Sequence, residues 1–271
     1  MKFTFSFIKM KKFNFFKYQG TGNDFIMLDD RVEDFDIEDH PLIKKLCDRK
    51  FGIGADGLIL IRNHTMADFE MVYFNADGYQ TSLCGNGSRC AVHFAGYLGM
   101  IKDECTFVTI EGPLKAKLEG DQVVINMPDV KGVEHIDNDY FLHTGSPHYI
   151  RFIDNAVSFD VYNQGRSIRN SEKYKYEGVN VNFVESLGNG KIFVRTYERG
   201  VEDETLSCGT GVTAAALAYG SLNGLSNINV KTLGGDLSVS FQPVDGNGFC
   251  DVFLKGPVKM VFQGEIDPNA F

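Results

Sequence analysis

Cys84-Gly85-Asn86-Gly87 and Cys208-Gly209-Thr210-Gly211 are two copies of one motif, a cysteine followed by Gly-x-Gly, and their repetition decides how the chain is read. A strand-forming run precedes each copy, Phe69 to Phe74 before Cys84 and Lys191 to Tyr197 before Cys208. A helical pattern follows each, Gly85 to Leu98 with Ala91, Phe94, Ala95 and Leu98 on one face, and Gly211 to Leu222, mostly alanine and leucine. Each cysteine therefore opens a helix. Upstream, Thr21-Gly22-Asn23-Asp24-Phe25-Ile26 is echoed by Thr144-Gly145-Ser146-Pro147-His148-Tyr149-Ile150, and each leads into an apolar strand that reaches Asp29 or Asp154. From Thr-Gly to Cys the separation is 63 residues in the first copy and 64 in the second. Matched order at matched spacing marks two similar halves. If they face each other about a pseudo-twofold axis, both helix N-termini point into one cleft.

The rest of the chain is strand-rich. Short runs such as Met71 to Phe74, Val123 to Asn126 and Val252 to Leu254 alternate with Gly, Asn and Asp turn signals, and Asp39 to Arg49 supplies a third helical pattern. The mixture predicts an α+β fold, mixed-sheet α/β in character. Gly52-x-Gly54-x-x-Gly57 matches the dinucleotide fingerprint, but it follows a helical pattern and precedes the strand Leu58 to Ile61. The fingerprint requires the reverse order, so this segment reads as a loop, with no nicotinamide cofactor.

A net charge of -9 argues against a phosphate-backbone partner, which needs clustered Lys and Arg, and favours a small molecule. Cys47, Cys84, Cys90, Cys105, Cys208 and Cys250 form no CxxC pair and no metal-ligand spacing, so neither a disulfide scaffold nor a metal site is expected. Met1 to Phe16 makes a poor signal peptide and no apolar run spans a membrane, which leaves a reducing cytoplasm as the expected compartment and no membrane partner. Met10 is an alternative start.

A helix N-terminus carries partial positive charge and unsatisfied N–H groups, which lower a thiol's pKa and bind carboxylates. Inverting an amino-acid α-carbon needs a base on one face and an acid on the other, and two symmetric thiols can exchange those roles. Cys84 and Cys208 are thus the candidate catalytic pair, with the amides of Gly85, Asn86, Gly209 and Thr210 as carboxylate donors that stabilise the developing charge. No cofactor is then required. Cys47, Cys90, Cys105 and Cys250 read as inert buried thiols.

These residues resemble diaminopimelate epimerases over nearly the whole chain. The likeness runs through Gln19 to Phe25, Gly52 to Gly57, Phe74-Asn75-Ala76-Asp77-Gly78, Leu83 to Gly87, Gly145-Ser146-Pro147-His148, Val179-Asn180-Val181, Tyr197-Glu198-Arg199-Gly200 and Cys208 to Gly211. It implies two domains related by a pseudo-twofold axis, each a curved mixed sheet around a central helix, with the active site between them. The expected division is 1–128, with 260–271 returning to that domain, and 129–259. It further implies a homodimer that interconverts LL- and meso-diaminopimelate for lysine and peptidoglycan precursor synthesis. In that family pattern Asn23, His148 and Glu198 lie near the reacting amino group, and Asn75, Asn180 and Arg199 bind the distal carboxylate. Ser146 stands where Asn is common, Gly57 where some members carry Gln, and the turn Gly200 to Thr205 is one residue longer than usual. The competing readings are a proline-type racemase or phenazine-pathway-like isomerase of the same superfamily and, from another class, a thiol redox protein.

Overall fold

A computed structural model describes residues 12–81 and 84–270; the alternative start Met10 and residue Leu83 of the first motif lie outside them. The chain folds as one pattern used twice. In the first half, β1 (Phe13–Gly20), β2 (Asn23–Asp29), β3 (Gly57–Arg62), β4 (Phe69–Asn75), β5 (Glu104–Thr109), β6 (Gly112–Glu119) and β7 (Gln122–Asn126) follow one another across the sheet. In the second, β9 (Asp139–His143), β10 (Pro147–Phe152), β11 (Asn180–Gly188), β12 (Lys191–Glu198), β14 (Asn227–Thr232), β15 (Gly235–Val244) and β16 (Gly248–Pro257) repeat it.

Both halves place their parallel pairs alike. β2 lies parallel to β3 across α1 (His40–Cys47), and β10 lies parallel to β11 across α3 (Val161–Arg169). Likewise β4 lies parallel to β5 across α2 (Gly85–Tyr97), and β12 to β14 across α4 (Gly209–Asn223). Such crossovers require a helix-length connection, whereas the other consecutive neighbours within each half are antiparallel and joined by turns or short loops. The halves fuse where β7 pairs antiparallel with β16, Ile125 opposite Leu254. β8 (Glu134–Ile136) adds to β9, β13 (Asp203–Thr205) folds back on β12, and β17 (Lys259–Ile266) pairs with β1, so the C-terminal strand rejoins the first half.

The central helices explain the fold's economy. α4 is buried along nearly its whole length, and its run of Ala214, Ala215, Ala216 and Ala218 lets strands approach from every side. One continuous apolar core surrounds α2 and α4, including Phe94, Ile125, Leu217 and Leu254, while α1 and α3 each cover the outer face of their own half-sheet with a separate cluster. The helix predicted from Gly211 begins at Gly209, because Cys208 itself is the N-cap. Helix α3 is missing from the sequence reading; it is short and polar and buries only Val161 and Gly165, so it shows little apolar periodicity.

Leu254 is fully buried, and it lies beneath both motif glycines: a methyl group on Gly209 would sit 3.2 Å from its Cδ2, and one on Gly85 3.7 Å from the same atom. Leu254→Ala is expected to cost about 3 kcal/mol through the cavity it leaves, read as a Tm lowered by about 10 °C in a thermal melt.

Candidate active site

Cys84 and Cys208 are the N-caps of α2 and α4, both in extended backbone conformation, φ -109° and -115°. Their carbonyls accept the first helical bonds, from Ser88 N at 2.7 Å and Val212 N at 2.8 Å. The two helices meet end to end: a methyl group on Gly209 would lie 3.5 Å from the Gly85 Cα. Both cysteines consequently line one cleft of about 760 Å³ between the halves.

Asn86 ties the junction together. Its Nδ2 donates to the Ser207 carbonyl of the other half at 3.1 Å and to Asn23 Oδ1 at 3.1 Å, and its Oδ1 accepts from Arg89 Nη2 at 3.0 Å. In the second half, Thr144 Oγ1 donates to the Thr210 carbonyl at 2.9 Å. Arg89 is fully buried with no carboxylate partner among the described residues, and it holds Thr21 Oγ1 at 3.0 Å as well as Asn86. Asn23 is held in turn by Asp56, whose Oδ2 accepts from its Nδ2 at 2.5 Å. Arg49 bridges Asp56 at 2.7 Å and Asp24 at 2.6 Å, and Lys17 pairs with Asp24 at 2.7 Å. Burial works to raise the Asp24 pKa, but Arg49 and Lys17 overcome it and hold the carboxyl at about 2.

Behind Cys208 runs a second chain of hydrogen bonds. Thr196 Oγ1 donates to Asn182 Oδ1 at 2.9 Å, which turns the Asn182 Nδ2 toward His148 Nδ1 at 3.1 Å. His148 is fully buried, and burial pushes its pKa down to about 3, so the ring is neutral with its proton on Nε2. That nitrogen lies 2.9 Å from both Ser146 Oγ and Thr210 Oγ1, and Thr210 Oγ1 is 3.5 Å from the Cys208 sulfur.

The cleft wall includes Asn23, Asn75, Cys84, Gly85, Asn86, Glu198, Arg199, Cys208, Gly209 and Thr210. Ser146, His148 and Asn180 are not part of it. They stand one layer back, because His148 is enclosed behind Thr210 and the Asn180 amide is committed to the protein: its Oδ1 accepts from Arg199 N at 2.9 Å, and its Nδ2 donates to Ser146 Oγ at 3.1 Å and to Pro147 O at 3.2 Å. The longer turn closes through Gly200 and Glu202, both at positive φ, and returns Thr205 to donate to Glu198 Oε2 at 2.9 Å. Sequence reasoning missed Asp56, Arg49, Tyr73 and Arg89 as parts of this assembly. Asp56 alone carried a signal, its place in a glycine-rich loop.

The expected lowering of the thiol pKa values does not hold in the free protein. Burial dominates both: it pushes Cys84 up to about 11 against the Gly87 and Asn86 amides, and Cys208 up to about 12, with the Glu198 carboxylate adding to each. Glu198 is itself raised by burial, with Asp56 across the cleft adding to the effect against the Thr205 hydroxyl.

Known proteins share this fold. The fold recurs in a phenazine biosynthesis protein of the PhzF family from Bacillus anthracis, with TM-score 0.76 and 14% identity over 95% of this chain and 99% of that one. It recurs also in a hydroxyproline epimerase from Agrobacterium vitis, with TM-score 0.68 and 14% identity over 96% and 94%. The class is thus that of the twice-repeated mixed α/β fold these proteins share. A family model described as diaminopimelate epimerase matches twice, over residues 15–133 and 140–261. Full-length relatives of that name are 51% identical in Flavobacterium psychrophilum, over 93% of this chain and 99% of the relative, and 39% identical in Aquifex aeolicus, over 93% and 97%. The chain belongs to the diaminopimelate epimerase family and is an isomerase.

With both thiols neutral near pH 7, iodoacetamide labelling of Cys84 and Cys208 in the free protein is expected to rise about tenfold per pH unit from about pH 7 to about pH 10 without levelling. Peptide-resolved labelling checks this; a plateau below about pH 9 means that the helix-end amides outweigh burial.

Proposed function

We propose that the protein interconverts LL- and meso-2,6-diaminopimelate without a cofactor, Cys84 and Cys208 exchanging the roles of base and acid at one α-carbon. The observation that supports this reading is the pair of helix N-termini abutting at Gly85 and Gly209, with both capping cysteines on one cleft. One thiolate takes the α-proton from one face while the opposite thiol delivers its own to the other, so the two sulfurs end with their protonation states exchanged. Negative charge that builds on the α-carboxylate meets the amides of Gly85, Asn86, Gly209 and Thr210. A bound α-ammonium brings positive charge to thiols that burial holds neutral, and this favours ionisation of one of them in the complex. Glu198 and Asn23 receive the ammonium, and Asn75 with Arg199 the distal carboxylate. In this reading His148 and Ser146 act from behind, by orienting the Thr210 hydroxyl beside Cys208, and Asn180 by fixing Arg199. The division 1–128 and 129–259, with 260–271 returning, a homodimeric state, a cytoplasmic location and a place in lysine and peptidoglycan precursor synthesis complete the proposal.

Incubation of the protein with LL-diaminopimelate in D2O, with no cofactor added, tests it. Deuterium at the α-carbon and formation of the meso isomer are expected; exchange on proline with none on diaminopimelate would overturn the substrate assignment. Cys84→Ala and Cys208→Ala are each expected to lower turnover by at least about a thousandfold while the Tm stays within a few degrees, since both side chains border a cleft. If Cys84→Ser retained full epimerisation, the two-thiol mechanism would be overturned; if the wild-type protein showed only a redox activity that Cys84→Ser lost, a thiol redox function would replace this one.

A further inference from the structure

Of the two asparagines that the family pattern assigns to the distal carboxylate, only Asn75 has an uncommitted donor. The Asn180 amide is fully engaged by the protein, as described above, whereas Asn75 Nδ2 has no partner among the described residues and Asn75 lines the cleft. An asparagine amide presents either an oxygen or an N–H₂ to a ligand, and only the second suits an anion. Something must choose between them.

Tyr73 sits two residues earlier on β4, on the same face of the strand, and also lines the cleft. Its hydroxyl donates to Asn75 Oδ1 at 3.0 Å. The phenol is fixed in place. Its ring packs edge-on against Phe25, with centroids 5.9 Å apart, and lies over Gly57, the residue directly opposite Asn75 on β3. A Cβ at Gly57 would come within 2.6 Å of Tyr73 Cε2 and would run into the Phe74 carbonyl oxygen, so the bare glycine is what admits the ring. Burial, followed by the charges of Cys84, Asp56 and Glu198, drives the phenol pKa far up, so Tyr73 keeps its proton throughout the working range.

We propose that Tyr73, seated on Gly57, is a positioning residue for substrate specificity: by donating to Asn75 Oδ1 it holds the Asn75 Nδ2 toward the cleft as a donor for the ligand's distal carboxylate. Gly57, Tyr73 and Asn75 thereby form one unit, in which the absence of a side chain at the first permits the second to orient the third. The inference rests on the reading of the cleft as a diaminopimelate site.

Tyr73→Phe removes the hydroxyl and keeps the ring, so the fold is retained and the Tm is the control. The expected result with diaminopimelate is a KM raised about fivefold with kcat nearly unchanged. In an Asn75→Ala background the same substitution is expected to add nothing, because the amide it orients is gone. A fall in kcat at unchanged KM would make Tyr73 a group acting at the reacting carbon, and unchanged kinetics would make its hydrogen bond irrelevant; either overturns the inference. Wild-type protein without activity on diaminopimelate would instead overturn the reading of the cleft, so the two failures are distinguishable.

Discussion

Two helix N-termini meet head to head at Gly85 and Gly209, and the rest of the molecule is arranged to permit it. The juxtaposition is unfavourable by itself, since like ends of two helix dipoles face each other and their first amides lack intrahelical acceptors. Glycine at both positions keeps the contact free of side chains: a Cβ at Gly209 would crowd Leu254 Cδ2 at 3.2 Å, and one at Gly85 would only touch it at 3.7 Å. The pairing of β7 with β16 puts Leu254 underneath the contact, and Asn86 spans it by a hydrogen bond to Ser207 of the other half. The continuous core around α2 and α4 supplies the apolar burial that offsets the repulsion. What results is a cleft whose floor is positively polarised and suited to a carboxylate.

At the sulfurs, two effects of that same architecture compete. Helix ends favour thiolates, but the dry surroundings that bring the helices together disfavour them, and in the free protein the second effect is the larger. The backbone is nearly symmetric here, yet the support behind each cysteine is not. Cys84 is backed by the buried Arg89 cation with Thr21 and Asn86, and Cys208 by a neutral Thr196-Asn182-His148-Thr210 chain. A repeat supplies matching geometry; the side chains that fill it need not match, and in the proposed reading a ligand with unlike groups around its stereocentre would present a different environment to each sulfur.

The repeat, the α+β class, the helix-opening cysteines and the loop character of Gly52 to Gly57 were all legible from local residue order. Periodicity and spacing are properties of the chain itself, and they survive whatever the strands later pair with. Helix α3 was not legible, since a short polar helix with an Asp160 cap has little apolar pattern.

The sequence by itself determined the candidates for chemistry and their local setting: paired cysteines at helix starts, with glycine next to each. Only the tertiary structure decided which side chains reach the cleft. His148, Asn180 and Ser146 were expected as neighbours of the ligand but stand behind Thr210 and Arg199, whereas Asp56, Arg49 and Tyr73, which local pattern did not single out, line the wall. The physical reason is that access to a shared cavity depends on pairings between residues far apart in the chain, such as Leu254 with Ile125 and Gly57 with Asn75. No local pattern encodes them, and the balance between helix-end charge and burial at a thiol is fixed only once they have formed.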